Sequence, residues 1–443
     1  MKKIILLFFA LTTCFGIHAQ EKSMSLSLDE AIKFALENSY NTKVARNDIK
    51  SANEKVWETT AIGLPQINGK VDYQQYLKLP VTLLDFDGDG VNEEFVFVQK
   101  QSINASVTVS QLLFDGSYLV GLQASKTFLK ISKQAEEKTE LLTREAVINA
   151  YGNVLITESS ISILESNIKI LQKSYDDAKK IYENGFNEEE DVEQLEITLG
   201  NLKNQLSSVL RMKDIAYQML NLSLGNPINT KLVLTDSLDS LVKSNIELSL
   251  IAEDFNVDTH IDYLISENDR ETKRLMMKLE QSKALPSLNA FVNYGSQGFS
   301  DTFSFFNSNQ QWFDSSLFGV SLNVPIFSSL SRKAKTAQAK IALENADLRL
   351  EETKQRLSLL AEKAKSEYQL SIENYTTAQK NVGLSERIEN KQRIKFFEGI
   401  SSSFDLLQAQ NQLYTQQQNY IQSMLDVISK KAALENALNV PIK

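Results

Sequence analysis

The stretch Leu64-Pro65-Gln66-Ile67-Asn68-Gly69-Lys70-Val71-Asp72-Tyr73 recurs in altered form as Leu285-Pro286-Ser287-Leu288-Asn289-Ala290-Phe291-Val292-Asn293-Tyr294. After each Leu-Pro pair, apolar and polar side chains alternate. Alternation with a period of two predicts a β-strand with one apolar and one polar face. A second alternating stretch follows each copy, at residues 103–110 and 318–324. The sequence therefore predicts four strands, at about 66–76, 95–111, 287–296 and 313–326.

The two copies belong to a duplication that covers most of the chain. Landmarks recur at a similar offset in the two halves: Pro65 with Pro286, Pro227 with Pro441, Gly185 with Gly399, and Asp191 with Asp405. Proline is excluded from helix interiors, so each proline marks a boundary. We therefore predict a first repeat at 20–227, a linker at 228–245 and a second repeat at 246–443. Each repeat is expected to contain a helix, two strands and a long helical hairpin, the hairpins lying at 125–222 and 330–438.

The predicted hairpin helices are unusually long and carry apolar residues at intervals of seven. These residues are Val147, Val154, Ile161, Ile168, Tyr175 and Tyr182 in the first repeat and Leu343, Leu350, Leu357 and Ala364 in the second. A further stripe runs through Ala334, Ile341 and Leu348. Sustained seven-residue spacing is typical of coiled coils. Two stripes on one helix predict neighbours on both sides, whereas an ordinary antiparallel bundle explains only one stripe well.

The first twenty residues have the pattern of a secretory signal. A basic start is followed by an apolar run from Ile4 to Leu11, and we expect cleavage after Ala19. Lipidation at Cys14 is the alternative. Removal of residues 1–19 leaves no cysteine and a single histidine, His260, which argues against nucleophiles or zinc sites built on those residues. No pair of acids stands out among the 56 Asp and Glu, so we predict neither a cofactor nor an enzyme.

Charge and hydropathy restrict the possible partners. A net charge of -9 offers no basic surface for nucleic acid. No later segment approaches eighteen consecutive apolar residues, the length of a membrane-spanning helix. If the exported chain enters a membrane, it must do so as a β-barrel. Four strands are too few to close one, because single-chain barrels begin at about eight strands. The strands must then be shared between copies, and this arithmetic does not choose between two copies and three.

From about Leu26 to Pro441 the chain resembles the TolC-like outer-membrane efflux proteins. The resemblance rests on Leu28-Asp29-Glu30-Ala31-Ile32, on the two Leu-Pro strand starts, on Gln111-Leu112-Leu113-Phe114-Asp115-Gly116 and on the glycine-to-aspartate spacing at both hairpins. It implies a homotrimer in the outer membrane of a Gram-negative cell, extending into the periplasm. The expected fold is mainly α with a membrane β-barrel: long antiparallel coiled-coil helices form a periplasmic α-barrel, and four strands per chain contribute to a shared, twelve-stranded trimeric β-barrel.

The resemblance also implies a function. The chain would be the passive outer-membrane exit duct of a tripartite efflux or type I secretion system, exporting small molecules, metal ions or proteins. Its partners would be outer-membrane lipid, a periplasmic adaptor (membrane fusion protein) and an inner-membrane pump of the RND or ABC type. Two other hypotheses are a periplasmic coiled-coil scaffold without a pore and an enzyme using carboxylates. The scaffold has no use for four symmetric strands, and the enzyme lacks a cleft-forming domain.

Two groups of residues are candidates for a gate. Asp405 matches the first of two aspartates that ring the closed periplasmic mouth in the resembled family. Gln408 stands in place of the second, and Ser401 in place of a basic gate residue, so the resemblance does not extend to a salt-bridged gate. Asp405 is equally explained as an acid favoured by a helix N-terminus. An acidic tip on the other hairpin consists of Glu188, Glu189, Glu190 and Asp191. Such a run is usually solvated surface, but three copies around a pore would form a collar that favours cations.

Residues 85–94 contain part of a calcium-loop pattern. Asp85, Asp87, Asp89 and Gly90 match its positions 1, 3, 5 and 6. Position 12, which should be a bidentate Glu, is Val96. Because Asp-Gly pairs also form ordinary turns, a plain loop is the favoured interpretation, and any calcium site is expected to be weak.

Overall fold

The structure, a computed structural model, describes residues 24–86, 88, 90, 92–186 and 188–441. The predicted signal at 1–19, including Cys14, lies outside the described residues. The helices are α1 (Leu28–Asn38), α2 (Tyr40–Ala61), α3 (Gly116–Glu183), α4 (Glu189–Leu224), α5 (Leu238–Asn245), α6 (Ile261–Ser282), α7 (Ser331–Phe397) and α8 (Ser403–Ala437). The strands are β1 (Met24–Leu26), β2 (Gln66–Gln75), β3 (Thr82–Leu84), β4 (Glu93–Phe95), β5 (Gln101–Asp115), β6 (Leu232–Leu234), β7 (Ser287–Ser300) and β8 (Trp312–Asn323). Within the described ranges, no helix has the length and apolar character needed to cross a membrane.

The chain divides into two compact units. The described residues of the first unit lie within 24–47, 134–265 and 351–441, and those of the second within 48–133 and 266–350. Each unit draws on both predicted repeats, so the spatial units differ from the repeats. The repeats at 20–227 and 246–443 remain a prediction about duplication in the sequence.

A four-stranded antiparallel sheet in the order β2-β5-β7-β8 lies in the second unit. Its register sets Ile67 opposite Val109, Val109 opposite Val292, and Val292 opposite Phe318. Residues directly opposite each other share a face, so the apolar side chains of all four strands line one face. These four side chains are 71%, 37%, 48% and 69% exposed. The apolar face therefore has no full cover within the described chain.

The strand boundaries differ from the predicted ones. β5 begins at Gln101 rather than at about 95, because Glu93–Phe95 pairs with Thr82–Leu84 as a separate small hairpin. β8 ends at Asn323 rather than at 326, and Pro325 cannot donate to a strand ladder. β7 runs past the predicted end to Ser300 because it continues to pair with β5 there.

The first hairpin helix begins at Gly116, nine residues before the predicted start at 125. The Asp115 carboxylate accepts hydrogen bonds from the N–H groups of Ser117 (2.6 Å) and Tyr118 (3.1 Å). These are amide groups that a helix N-terminus leaves unpaired. Helix α3 has 68 residues and α7 has 67, so each is about 100 Å long at 1.5 Å per residue.

The buried seam of α3 follows the predicted stripe only at first. Val147 and Val154 are fully buried, whereas Tyr182, on the same stripe, is 38% exposed. Further along the helix, the buried apolar residues are instead Leu164, Leu171 and Ala178. A strict seven-residue stripe drifts around a straight helix, because 3.6 residues per turn does not divide seven.

The two stripes predicted on α7 have different environments in the single chain. Leu357 and Ala364 are buried, as the first stripe predicts. Ile341 and Leu348, on the second stripe, are 56% and 71% exposed. Among the described residues, the second stripe is left largely uncovered.

Residues 228–260 are folded, although part of them was predicted as a linker and part as a helix. β6 pairs in parallel with β1, and α5 follows it. The helix predicted to begin at 246 begins only at Ile261, after short 3-10 helices at Leu248–Ile251 and Val257–Thr259. The Asp236 carboxylate holds this region in place, because it accepts hydrogen bonds from the Leu28 N–H (2.7 Å) and the Tyr151 hydroxyl (3.0 Å).

Two fully buried tyrosines mark equivalent points in the core of the first unit. The Tyr151 hydroxyl lies 3.1 Å from the Leu26 carbonyl oxygen. The Tyr368 hydroxyl donates to the Asn245 carbonyl (2.6 Å) and accepts from the Glu247 N–H (2.9 Å). Each tyrosine thus fastens a non-helical segment to a hairpin helix, since a buried hydroxyl requires a partner.

Candidate gate at the helix-hairpin turns

The hairpins α3–α4 and α7–α8 turn with the same backbone geometry. Gly185 and Gly399 have φ values of +79° and +70°, a left-handed conformation that glycine adopts without a Cβ clash. The N–H of the next residue donates to the carbonyl five positions earlier, at 3.1 Å after Gly185 and 2.8 Å after Gly399. This is the Schellman pattern of helix ends, and it places the two following helix starts in equivalent positions.

Asp405 forms a capping box at the start of α8. Its carboxylate accepts hydrogen bonds from the Ser402 hydroxyl (3.0 Å) and the Ser402 N–H (3.3 Å), and its own N–H donates to the Ser402 hydroxyl (3.2 Å). The hydrogen bond from the Ser402 side chain, followed by that from its backbone, holds the pKa of Asp405 below its usual value. The side chain is exposed. Asp405 is therefore a charged helix-start acid in the single chain.

Asp191 connects the two hairpins. Its carboxylate accepts a hydrogen bond from the N–H of Ser403 (3.2 Å), the first residue of α8. The Ser403 hydroxyl, on a residue that is 3% exposed, donates to Gln194 Oε1 (3.0 Å). One hairpin thus supplies a negative charge to the helix N-terminus of the other, where the helix dipole favours it. From the sequence, Asp191 is predicted only as part of an acidic tip, and this hydrogen bond is not.

The remaining predicted gate residues are on the surface. Glu188 occupies the N-cap of α4, and its side chain makes no capping hydrogen bond within the described residues. Glu189 and Glu190 follow in the first helical turn, and Glu190 accepts a hydrogen bond from Gln194 (2.9 Å). Gln408 is exposed, one turn after Asp405. These side chains are free to face a neighbouring chain or water.

Each turn also leaves a large apolar side chain in solvent. Phe186 and Ile400, directly after the turn glycines, are 83% and 69% exposed, and Phe404 is 66% exposed. In a Schellman turn, the residue that follows the glycine frequently packs against the last turn of the preceding helix. These residues were not predicted as functional, although an apolar residue after each turn glycine was visible in the sequence.

Below the turns, the buried polar atoms that lack a partner among the described residues lie on the α7–α8 hairpin. On α3, the buried polar residues Asn167 and Ser174 both have hydrogen-bond partners. The apolar α3–α4 residues of this core are Leu164, Leu171, Ala178, Val192, Leu195, Leu199 and Leu202. On α8, Gln410 is 1% exposed, and neither of its amide atoms has a hydrogen-bond partner among the described residues. On α7, Glu389 is 7% exposed, with its Oε1 3.5 Å from Arg393 Nε. Burial, reinforced by the Glu389 charge, raises the pKa of Tyr414. Because an unsatisfied buried amide costs about 1–3 kcal/mol, the α7–α8 hairpin has the less favourable core.

The partial calcium loop is described only in part, because Asp87 and Asp89 lie outside the described residues. The Asp85 carboxylate accepts hydrogen bonds from the N–H groups of Gly88 (2.8 Å) and Gly90 (3.0 Å), as in an ordinary Asp turn. In the part of the chain that the structure describes, no three or more His, Cys, Asp or Glu side chains come together in a way that could hold a metal ion.

Comparison with protein-family models assigns the chain to a family. The family model described as outer membrane efflux protein (OEP) matches residues 31–226 and 267–440, which include both hairpins and all four strands of the large sheet. The chain belongs to the outer membrane efflux protein family. No curated protein sequence matches this efflux protein.

Solved structures of outer-membrane channels share its fold. VceC from Vibrio cholerae has a TM-score of 0.71 and 14% sequence identity, over 93% of this chain and 95% of VceC. CusC has a TM-score of 0.75 and 17% identity, over 96% and 95% of the two chains. The open-state channel MtrE from Neisseria gonorrhoeae has a TM-score of 0.70 and 18% identity, over 93% and 88%.

These comparisons confirm several predictions made from the sequence. The resemblance to TolC-like proteins is confirmed, as is the fold of long helices with strands contributed to a shared barrel. The efflux protein is an outer-membrane channel that extends into the periplasm, and it is not an enzyme. The scaffold and carboxylate-enzyme hypotheses are therefore wrong.

Proposed function

We propose that three copies of this chain form the exit duct of a tripartite efflux or type I secretion system, a passive conduit for small molecules, metal ions or proteins. The observation that carries this proposal is the incomplete sheet. Strands β2 and β8 are its edges, each paired on one side only among the described residues. Lipid cannot satisfy the polar groups of an open edge. Three four-stranded sheets joined edge to edge would give twelve strands and leave no edge open.

The oligomeric state provides the direct test of the proposed duct. Purified protein in detergent, treated with a bifunctional crosslinker, should give dimer and trimer bands and nothing larger. Reconstituted into planar bilayers, it should conduct ions. A monomer that does not conduct would contradict the proposal.

A periplasmic adaptor and an inner-membrane pump of the RND or ABC type are the proposed partners. The exposed side chains of Phe186 and Ile400 support contact with an adaptor at the hairpin turns, because apolar residues on a surface mark interaction sites. A trimer would present three copies of each.

Replacing Phe186 and Ile400 together by serine should weaken adaptor binding at least about tenfold, the effect of losing about 1.4 kcal/mol. Trimer yield should not change, because both side chains are exposed and support no core. Binding to the cognate adaptor can be measured by surface plasmon resonance. As a matched control, serine at Leu359 of α7, which is 71% exposed and lies on neither predicted stripe, should leave adaptor binding unchanged. Unchanged binding in the double variant would place the adaptor elsewhere.

The gate proposed for the duct is a ring of acids at the hairpin turns. Three copies of Asp405, with the acidic tip of Glu188, Glu189, Glu190 and Asp191, would surround the axis and favour cations. Gln408 would face the same opening. The lowered pKa of Asp405 in the single chain supports a charged carboxylate at this place. Mutual repulsion within a ring of three carboxylates would make at least one of them easier to protonate.

Asp405→Ala is expected to reduce cation selectivity in planar bilayers and to relieve block by divalent cations. The substitution removes a charge and also the carboxylate half of the capping box, whose N-cap residue is Ser402. Ser402→Ala separates these effects, because it removes the hydroxyl that Asp405 binds and keeps the charge. Reversal potentials in a salt gradient should shift for Asp405→Ala and not for Ser402→Ala. If neither variant shifts the reversal potential, Asp405 serves only as a helix-start acid.

A further inference from the structure

The first unit contains a cavity of about 300 Å³ between α3, the start of α6, α7 and α8. Half of its fourteen lining residues are apolar: Leu141, Leu142, Ile261, Leu360, Ala364, Ala433 and Ala437. Small-molecule sites have this composition, an apolar wall with a few placed polar groups. Two polar residues of the lining, His260 and Asn436, present atoms that the described protein leaves unpaired.

His260 presents a hydrogen-bond donor. The residue is 4% exposed, and its Nδ1 accepts a hydrogen bond from the Asp262 N–H (3.1 Å). Burial lowers the pKa of the ring. The Asp262 charge and the Asn436 backbone raise the pKa in part, and the Lys138 charge lowers it further. The ring is therefore neutral at pH 7, and since Nδ1 is an acceptor, the proton resides on Nε2. Nε2 is buried, and apart from a weak hydrogen bond to the Asn436 backbone it has no partner of normal geometry among the described residues.

Asn436 presents an acceptor. Its Nδ2 donates to Glu145 Oε2 (2.6 Å) and to the Leu141 carbonyl (3.3 Å). These two acceptors fix the orientation of the amide, so its other atom is the carbonyl oxygen. That oxygen, Oδ1, is buried and has no hydrogen-bond partner in the described chain. The weak hydrogen bond between the His260 ring and the Asn436 backbone shows that the two residues are neighbours.

The charged groups of the cavity are engaged with one another. Lys138 pairs with Asp262 at 2.6 Å. Glu367 pairs with Lys430 at 2.7 Å and with Lys363 at 3.6 Å. Glu145 holds the Asn436 amide. Four of the five lining charges are thus paired with an opposite charge, and Glu145 is hydrogen-bonded to an amide. The cavity therefore favours a neutral ligand, because an added charge would be desolvated without a free counter-ion.

We propose that this cavity binds a small neutral molecule with an apolar body and one hydroxyl group, of which phenol is the simplest aromatic example. A hydroxyl both accepts and donates, so one such group can receive the His260 Nε2–H and donate to Asn436 Oδ1. The apolar body then occupies the space lined by leucine, isoleucine and alanine. The lining belongs to neither hairpin turn, and the site does not depend on the proposed duct.

His260 provides a specific readout, because it is the single histidine of the chain once residues 1–19 are removed. The full chain, labelled with ¹³C,¹⁵N-histidine and placed in lipid nanodiscs, should give one set of ring signals. Phenol should shift the Nε2 signal to a saturable end point, and benzene, which lacks the hydroxyl, should not. Asn436→Leu should weaken the phenol effect at least about tenfold, whereas Asn390→Leu, at an exposed position on α7, should not alter it.

Three results would overturn the proposal. They are no shift, a shift that grows without saturation, and equal shifts with phenol and benzene; each would leave the cavity as a site for water. If Asn436→Leu fails to assemble, the comparison of phenol with benzene on the unaltered chain still decides. An unsaturable phenol effect in a trimer that conducts would reject this site and retain the duct.

Discussion

Val107→Arg is expected to destabilise the membrane-inserted protein by about 2–4 kcal/mol, the cost of a cation facing lipid near the bilayer midplane. Val107 lies near the middle of β5, opposite Gly69 on one side and Tyr294 on the other. All three belong to the apolar face of the sheet, and Val107 is 47% exposed in the single chain. Denaturant unfolding in lipid vesicles measures the loss. A fall in outer-membrane trimer should accompany it.

Ser106→Arg is the matched control, because it changes the neighbouring residue on the same strand. Ser106 lies opposite Lys70 and Gly295, on the polar face. Arginine there should be tolerated and should alter conductance instead. The pairs Val71 with Asn68 and Val320 with Ser321 should behave alike. Equal losses from both faces would show that the lipid-facing side has been assigned wrongly.

Gly225→Ala is expected to cost at least about 2 kcal/mol, from left-handed strain of about 1–2 kcal/mol together with overpacking of about 1–3 kcal/mol. Gly225 ends α4 with φ +79°. A Cβ added there would lie 2.3 Å from the Asn38 carbonyl oxygen and 2.8 Å from the Ser39 Cα. Both neighbours are backbone, so the contact cannot be relieved by turning a side chain. Thermal unfolding and trimer yield would report the loss.

Gly200→Ala makes the same chemical change in the middle of α4. No atom lies within 4 Å of the added Cβ among the neighbours considered. Alanine should stabilise this helix by about 0.5–1 kcal/mol, because glycine loses more backbone freedom on folding. A similar melting temperature for both variants would contradict the strain assigned to Gly225.

The strands were predictable where their pattern is local. Alternation around Ile67 and Val292 indicates a face without knowledge of any partner. Boundaries were less predictable, because pairing determines them: residues 93–95 continue the strand-like sequence but pair with 82–84. The long helices were predicted correctly, but the seven-residue stripe of α3 was extended too far, to Tyr182.

In the candidate site, too, some features could be predicted from local sequence, and others depend on residues far apart in the chain. The capping role of Asp405 was accessible from the spacing of Ser402 and Asp405, which a capping box requires. The bond between Asp191 and Ser403 was not, because the residues are 212 positions apart and no local pattern relates them. The unpaired atoms of His260 and Asn436 belong to this second kind, since they depend on how four helices surround a cavity.

The pairing of β1 with β6 has a consequence for the order of folding during secretion. The neighbouring contact of Leu28 with Asp236 spans 208 residues. A chain threaded across the inner membrane from its N-terminus presents β1 long before β6, and contacts of such sequence separation form slowly. The apolar face of α1, with Leu28, Ala31 and Ala35 buried in the finished structure, must stay uncovered in the meantime. We therefore expect the translocating polypeptide to be prone to aggregation through this face until its middle has crossed.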